Sequence, residues 1–412
     1  MSLSLTYLLA KRLKGNNSST NNISSRIIKV AILALTISVT AIIISIVTGK
    51  GLQEVIENKI TSFNGNIIIS TFDNNNSQLS LNPLEFDVKT KSLLKSIKNI
   101  SSFQTVAYKG GIIKHKDNFE GIIFKGVDPK KNNLSFTEFI VNGRFIDSIS
   151  IKKNEILISK TLSRKLNVNI GDTVVGFFKR DNYQIIPNQR KYVIVGIYES
   201  GFYDFDDIYI FGDLNQVQSL NSWTNNEVGG IEVYIKDSKK DNILAKQLYE
   251  SLPSSLDVIT VRSKYDNIFQ WISLFDLNIY IILIIMILVG VINIATALLI
   301  LIFERASMIG ILKTIGATDF QIQKVFLWNG LKIIIKGIIF GNIFGLGFYL
   351  SQKYFRWIKL DPITYYVSYA PVKLDFFDWL SVNLFMVFIC LFLLLFPTKI
   401  ISSFSPSENI RH

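Results

Sequence analysis

Cysteine is nearly missing from this chain of 412 residues. Cys390 is the single one, so no internal disulfide and no thiolate cage for a metal can form. Histidine is as scarce, with His115 and His412 far apart and neither at ligand spacing. Charged residues make up only 18% of the chain against 49% apolar ones. The motifs of covalent chemistry are missing too. There is no G-x-x-x-x-G-K-[ST] phosphate loop, no H-E-x-x-H and no G-x-S-x-G. "GNIFGLG" at 341–347 is glycine-rich but lacks the lysine and lies in an apolar run. "DFDD" at 204–207 has the residues to hold a divalent cation but not the calcium-loop pattern, and a solvated turn is the plainer reading. No catalytic, cofactor-binding or metal residue is therefore expected, and the chain is read as no enzyme. The net charge of +12 lacks the interleaved aromatic and basic residues of single-strand binders, so no nucleic acid partner is expected. Basic residues instead flank the apolar runs, as they do beside acidic membrane surfaces.

What the chain has in plenty is long apolar sequence. Residues 281–303 carry no charge, 27–48 carry Lys29 at one edge, and 379–396 run uncharged up to Pro397. Residues 326–350 are apolar except for Lys332 and Lys336, which share one helix face and can snorkel to an interface. Runs of this length read as membrane spans. We expect an α-helical integral membrane protein with four transmembrane helices, at 26–49, 277–303, 326–351 and 378–397. Residues 50–270 change texture. Strand-like alternation in "NIIIS", "GIIFKGV", "RKYVIVGIY", "DIYIF" and "GIEVYIKD" mixes with helical patterns near 88–97, 160–166 and 239–252. This predicts a large α+β extracytoplasmic domain. Residues 1–25 read as a basic amphipathic lead, and the first span as a retained anchor. Lys and Arg around the first span, between spans two and three, and after span four place both termini, the segment 304–325 and the tail 398–412 in the cytoplasm. The domain and the loop 352–377 then lie outside.

Between spans two and three stands "FERASMIGILKTIGATDFQIQKVF". Met308, Ile311, Leu312 and Ile315 form an apolar stripe at helical spacing. Gly316 is a helix stop, Lys313 favours the helix dipole, and Thr318 with Gln321 makes a capping-box pattern. A short amphipathic helix, a corner and a second helix follow. Periodicity leaves two roles open, a helix lying on headgroups or one docking a soluble partner. Gly337, Gly341 and Gly345 recur at four-residue spacing, which lets helices approach closely in lipid. Packing within one bundle is the plainer reading and a dimer contact the sharper one.

These residues resemble a known family, the permease subunits of lipoprotein-releasing ABC transporters of the LolC/LolE type, within the MacB/FtsX-like superfamily. The likeness is carried in order by "YLLAKRLK", "FKGVDP" at 124–129, "ILISKTLSRKLNVNIGDTV" at 156–174, "PNQRKYVIVGIYESGFYDFD" from Pro187, "ERASMIGILKTIGAT" and "LDPITYYVSYAPV". Met308 departs from it, standing where the family usually has an acidic residue. The resemblance implies a MacB-like periplasmic domain and an inner-membrane location. It implies a dimer of permeases, two copies or two paralogues, bound to a cytoplasmic ABC ATPase dimer that hydrolyses the ATP. It implies that Glu304, Arg305, Ile309, Gly310, Leu312, Lys313, Gly316 and Ala317 belong to a coupling helix facing that ATPase. It implies a hook-like loop at 178–191, with Tyr183, Gln184, Ile185, Ile186, Pro187, Asn188 and Gln189 binding a periplasmic lipoprotein carrier. Lipid of the lipoprotein substrate would enter near 37–47 and 281–292. The same superfamily also offers a MacB-type exporter for another amphipathic cargo and an FtsX-like signalling subunit.

Overall fold

The fold was taken from a computed structural model that describes residues 22–75, 79, 80, 82–129, 137–146, 154–180 and 187–403. Most of the expected lead 1–25 lies outside them. Among the described residues, four helices are long and apolar enough to cross a membrane: Arg26–Asn64, Asp266–Glu304, Asp319–Phe355 and Phe376–Thr398. The expected apolar runs sit inside them. A bilayer needs about 20 residues, yet the first three of these helices run for 39, 39 and 37. Their excess mixes polar and apolar residues, such as Leu52, Ile56, Ile60 and Phe63 of the first helix, and falls outside the uncharged runs. The fourth passes through Pro397 by one residue, where the missing N–H and the ring's crowding of the preceding turn suit a helix about to end, and a 3-10 turn, Lys399–Ser403, follows.

The described residues form two compact units. The first comprises Met1–Gln53, Ile272–Lys359 and Tyr369–His412, as far as they are described. Its core is mainly aliphatic, built on Leu35, Val39, Ile43, Ile294, Ile302, Ile334 and Leu394 with Phe326 among them. Lipid offers no hydrophobic drive between helices, so close contact and hydrogen bonds must hold them. Gly337, Gly341 and Gly345 supply the contact. A Cβ there would stand 2.6 Å from the Leu35 side chain, 2.5 Å from Val39 and 2.9 Å from Ile43. The glycine ladder of the third helix thus receives the i, i+4, i+8 ridge of the first. The third and fourth helices are joined by polar groups. Asn342 Nδ2 donates to Asn383 Oδ1 at 2.6 Å, and Trp379 Nε1 donates to Asn342 Oδ1 at 2.5 Å. Gly341→Leu should cost roughly 1–3 kcal/mol or more through overpacking. Gly347→Leu, whose Cβ meets nothing within 4 Å, should be neutral. Unfolding midpoints in detergent check this, and equal midpoints for the two would contradict the packing.

The second unit comprises Glu54–Trp271 and Leu360–Ser368. It holds β1 (Ile67–Thr71), β3 (Ile100–His115), β4 (Asn118–Val127), β5 (Ile140–Gly143), β6 (Glu155–Ser159), β7 (Thr173–Phe178), β8 (Asn188–Tyr198), β9 (Tyr209–Asp213), β11 (Gly230–Ile235) and β12 (Leu256–Thr260). They form one sheet in the order β12-β1-β11-β3-β4-β9-β6-β8-β5, with β7 pairing both β3 and β8. A separate small ladder pairs β2 (Leu84–Glu85) with β10 (Glu227–Val228). The pairs β3–β4, β4–β9, β9–β6, β6–β8, β8–β7 and β7–β3 close into a ring of six strands. Closure removes sheet edges that would otherwise pair with other chains. Phe124, Phe178 and Tyr192 fill the ring, with ring centroids 5.3–6.2 Å apart. Glycine makes room for them. A Cβ on Gly212 would stand 2.3 Å from the Phe124 ring, and one on Gly111 2.5 Å from Phe178.

The expected outer loop 352–377 is split between the units. Leu360–Ser368 belongs to the second, where Tyr366 stacks on Phe202 at 4.6 Å. Its carbonyl accepts from Lys59 Nζ at 2.7 Å.

Candidate functional site

Two places carry unusual chemistry, one in each unit. In the first unit the expected corner is built from local rules. Helix Ala306–Thr314 follows a break at Arg305, so Glu304 closes the preceding long helix rather than opening this one. Gly316 has φ +92°, its N–H donates to the Lys313 carbonyl at 3.0 Å, and the Ala317 N–H reaches the Leu312 carbonyl at 2.9 Å. This is a Schellman ending, which satisfies the last carbonyls and favours glycine at the left-handed position. Thr318 and Gln321 then cap the next helix reciprocally.

The short helix has two faces. Ile309 and Gly310 are buried against the unit's own core, while Leu312 is partly covered. They face inward because this helix must bury an apolar side of its own. The opposite face presents Ser307, Ile311, Thr314 and Ile315, with Phe320 beyond the corner. Ile311 is 49% exposed, Ile315 78% and Phe320 65%. Ile311, Ile315 and Phe320 thus form an exposed apolar ridge beside Thr314 and Gly316. Lys313 turns away from it. Its side chain is 11% exposed, pairs with Asp319 at 2.9 Å and donates to the Ile401 carbonyl at 2.9 Å.

In the second unit a charged node is buried on the sheet. Lys125 on β4 pairs with Glu232 on β11 at 2.5 Å, and both side chains are almost wholly buried. Gln104 Nε2 donates to Glu232 Oε2 at 2.7 Å, and the Tyr108 hydroxyl to Oε1 at 2.8 Å. Lys125 also donates to the carbonyl of Phe63, in the last turn of helix Asn22–Asn64. A cation there neutralises the negative helix end. The Phe63 ring sits among Phe139, Tyr198, Phe205 and Phe211, with centroids 5.0–6.0 Å away. Burial pulls the Lys125 ammonium below its usual pKa, and the Glu232 carboxylate opposes that pull. Burial also pushes the Tyr108 hydroxyl far up, and Glu232 adds to it. A cavity of about 20 Å³, room for a water, lies beside the node and is lined in part by Asn64, Tyr108, Tyr209 and Lys264.

Two of the three aspartates of "DFDD" have internal partners. Asp206 accepts from the Ser200 and Gly201 N–H groups at 3.0 and 3.1 Å, and Asp207 pairs with Lys165. Among the described residues no three His, Cys, Asp or Glu gather into a metal site. Of the expected hook, Tyr183, Gln184, Ile185 and Ile186 lie outside the described residues. Pro187 is exposed, while Asn188 and Gln189 belong to β8 and pair with Phe178 and Phe177. The expected loop 178–191 therefore shrinks to the connection 179–187. Sequence reasoning missed the node. Its available signal was a lysine inside the apolar strand "GIIFKGV".

A family model described as MacB-like periplasmic core domain matches residues 30–250, just over half of the chain, and one described as FtsX-like permease C-terminal matches 280–406. The chain is 22% identical to the lipoprotein-releasing system transmembrane protein LolC of Neisseria meningitidis, over 100% of this chain and 98% of that one. It is 24% identical to LolC of Buchnera aphidicola, over 94% of each. It is 22% identical to LolE of Haemophilus influenzae, over 62% of this chain and 64% of that one. With its outer α+β unit and four apolar helices, the chain belongs to the MacB-like, FtsX-like permease family and is of the LolC/LolE type.

Proposed function

We propose that this chain is the membrane subunit of an inner-membrane ABC transporter that extracts lipoproteins and passes them to a periplasmic carrier. The observation that carries this reading is the end-to-end match to LolC, over 100% of this chain and 98% of that one. The chemistry agrees. Lifting an acyl chain out of a bilayer costs about 0.8 kcal/mol per methylene. A chain with no phosphate-loop motif must take that energy from another subunit. The exposed ridge of Ile311, Ile315 and Phe320 gives a cytoplasmic ABC ATPase a place to dock. Both termini are cytoplasmic in this reading, and the second unit is periplasmic. A second permease, a copy or a paralogue, completes the membrane dimer.

The connection 179–187 is the place for the carrier. Replacing residues 180–186 by a short glycine-serine turn leaves the Phe178–Asn188 pair in place. The carrier should then no longer be captured by the detergent-solubilised complex, while the ATPase subunit still co-purifies. Full carrier capture by this variant would put the carrier elsewhere. The match of 280–406 to the FtsX-like C-terminal region favours one second reading, a signalling subunit that moves nothing. Purification of the native complex separates the two. A lipoprotein carrier captured with an ABC ATPase supports release, and a cell-wall hydrolase in its place supports signalling.

A further inference from the structure

Lys313 occupies a position that the docking reading leaves unexplained. It lies on the short helix Ala306–Thr314 yet points away from the exposed ridge, with its side chain 11% exposed. Its ammonium reaches two other elements. One is Asp319 Oδ1, at 2.9 Å, in the first turn of the third long helix. The other is the carbonyl of Ile401, at 2.9 Å, in the turn Lys399–Ser403 that follows the fourth. Ile401 is itself fully buried in the unit's core. A lysine ammonium has three donors and can hold several acceptors at once. The contact with Asp319 is charge-assisted, and so is the bond to the carbonyl, which makes both stronger than neutral bonds. Asp319 also suits its place, since a carboxylate at a helix start is favoured by the dipole.

The second long helix meets this short helix at the break at Arg305. We infer that Lys313 is a positioning residue that locks the short helix to the start of the third long helix and to the end of the fourth. A displacement of the docked ridge then moves the third and fourth helices as one body. This inference rests on the docking reading above, and it adds that the turn after the fourth helix belongs to the transmission path.

The test compares Lys313→Gln, Lys313→Arg and Asp319→Asn in the full complex, with Ile315→Asp as the reference for lost docking. Two readouts are needed. Trypsin cleavage after Lys399 reports whether the turn is held, and it does not depend on any ATPase. ATP-driven release of an acylated protein from proteoliposomes reports transmission. Lys313→Gln should cleave several-fold faster and release about tenfold more slowly, within the usual range of coupling between sites. The ATPase subunit should stay bound. Lys313→Arg, which keeps the cation, should restore both readouts to near the parent, and Asp319→Asn should fall between. Faster cleavage with unchanged release would overturn the transmission role and leave docking intact. Loss of the ATPase subunit from Lys313→Gln would overturn it as well, by making Lys313 a docking residue. Retention of the ATPase by Ile315→Asp would instead count against the docking reading, and the cleavage result would still stand.

Discussion

Replacing Lys125 by methionine is expected to destabilise the second unit by about 3–5 kcal/mol, the cost of stranding a buried charge. Methionine matches the length and volume of the lysine stem, so packing changes little. What changes is Glu232, left almost fully buried with the neutral donors Gln104, Tyr108 and Tyr234 in place of a cation. The Phe63 carbonyl loses its cation in the same step. For a domain of this size the loss corresponds to a fall in Tm of roughly 10 °C. Near-ultraviolet circular dichroism of the full chain in detergent follows it, because Tyr108, Tyr198 and Tyr209 lie in or beside this core. The double variant Lys125→Met/Glu232→Gln removes both charges and should recover much of the loss, since the two sites are in contact and not additive. A single variant melting within about 1 °C of the parent would contradict the buried pair. So would a double variant no better than the single one.

The second large effect belongs to the ridge. Ile315→Asp should leave the fold untouched, because Ile315 is 78% exposed and surface changes usually stay within about 0.5 kcal/mol. Its effect should fall on the partner. A carboxylate placed at the centre of an apolar docking patch must be desolvated, and such central positions carry about 2 kcal/mol or more. That is roughly a 30-fold loss of affinity for the ATPase subunit. Titration of the ATPase onto the purified permease measures it. The control is Thr314→Asp, at the polar edge of the same face, which should weaken binding far less. Equal affinity for the parent and Ile315→Asp would move the docking surface elsewhere.

Local chemistry was legible in the sequence and nonlocal pairing was not. The corner at Gly316 and the box of Thr318 with Gln321 depend on residues within six positions, and both have the geometry their spacing predicts. The glycine spacing of the third helix signalled close approach but not its partner, since Leu35, Val39 and Ile43 lie some 300 positions earlier. The six-stranded ring was invisible for the same reason. It depends on β7 joining β3 to β8, and no period within one strand records that. Lys125 lies in the alternating strand "GIIFKGV", and nothing in that strand signals Glu232, 107 positions on. Lys313 looked like a dipole residue, whereas its acceptor Ile401 is 88 positions away. Of the expected stripe, Met308 and Leu312 are partly covered, while Ile311 and Ile315 are exposed. Which apolar side faces water was not in its period, because Ile309 and Ile311 are equally hydrophobic and only the surrounding helices decide between them.

The central claim is that this permease, powered by a separate ATPase, takes lipoproteins out of the membrane. The most direct measurement reconstitutes the purified complex in proteoliposomes with an acylated lipoprotein and the soluble carrier, and follows the lipoprotein into the supernatant. The account predicts release that needs both ATP and the carrier, and that Ile315→Asp abolishes. ATP hydrolysis at the full rate with the acylated protein still in the bilayer would contradict it.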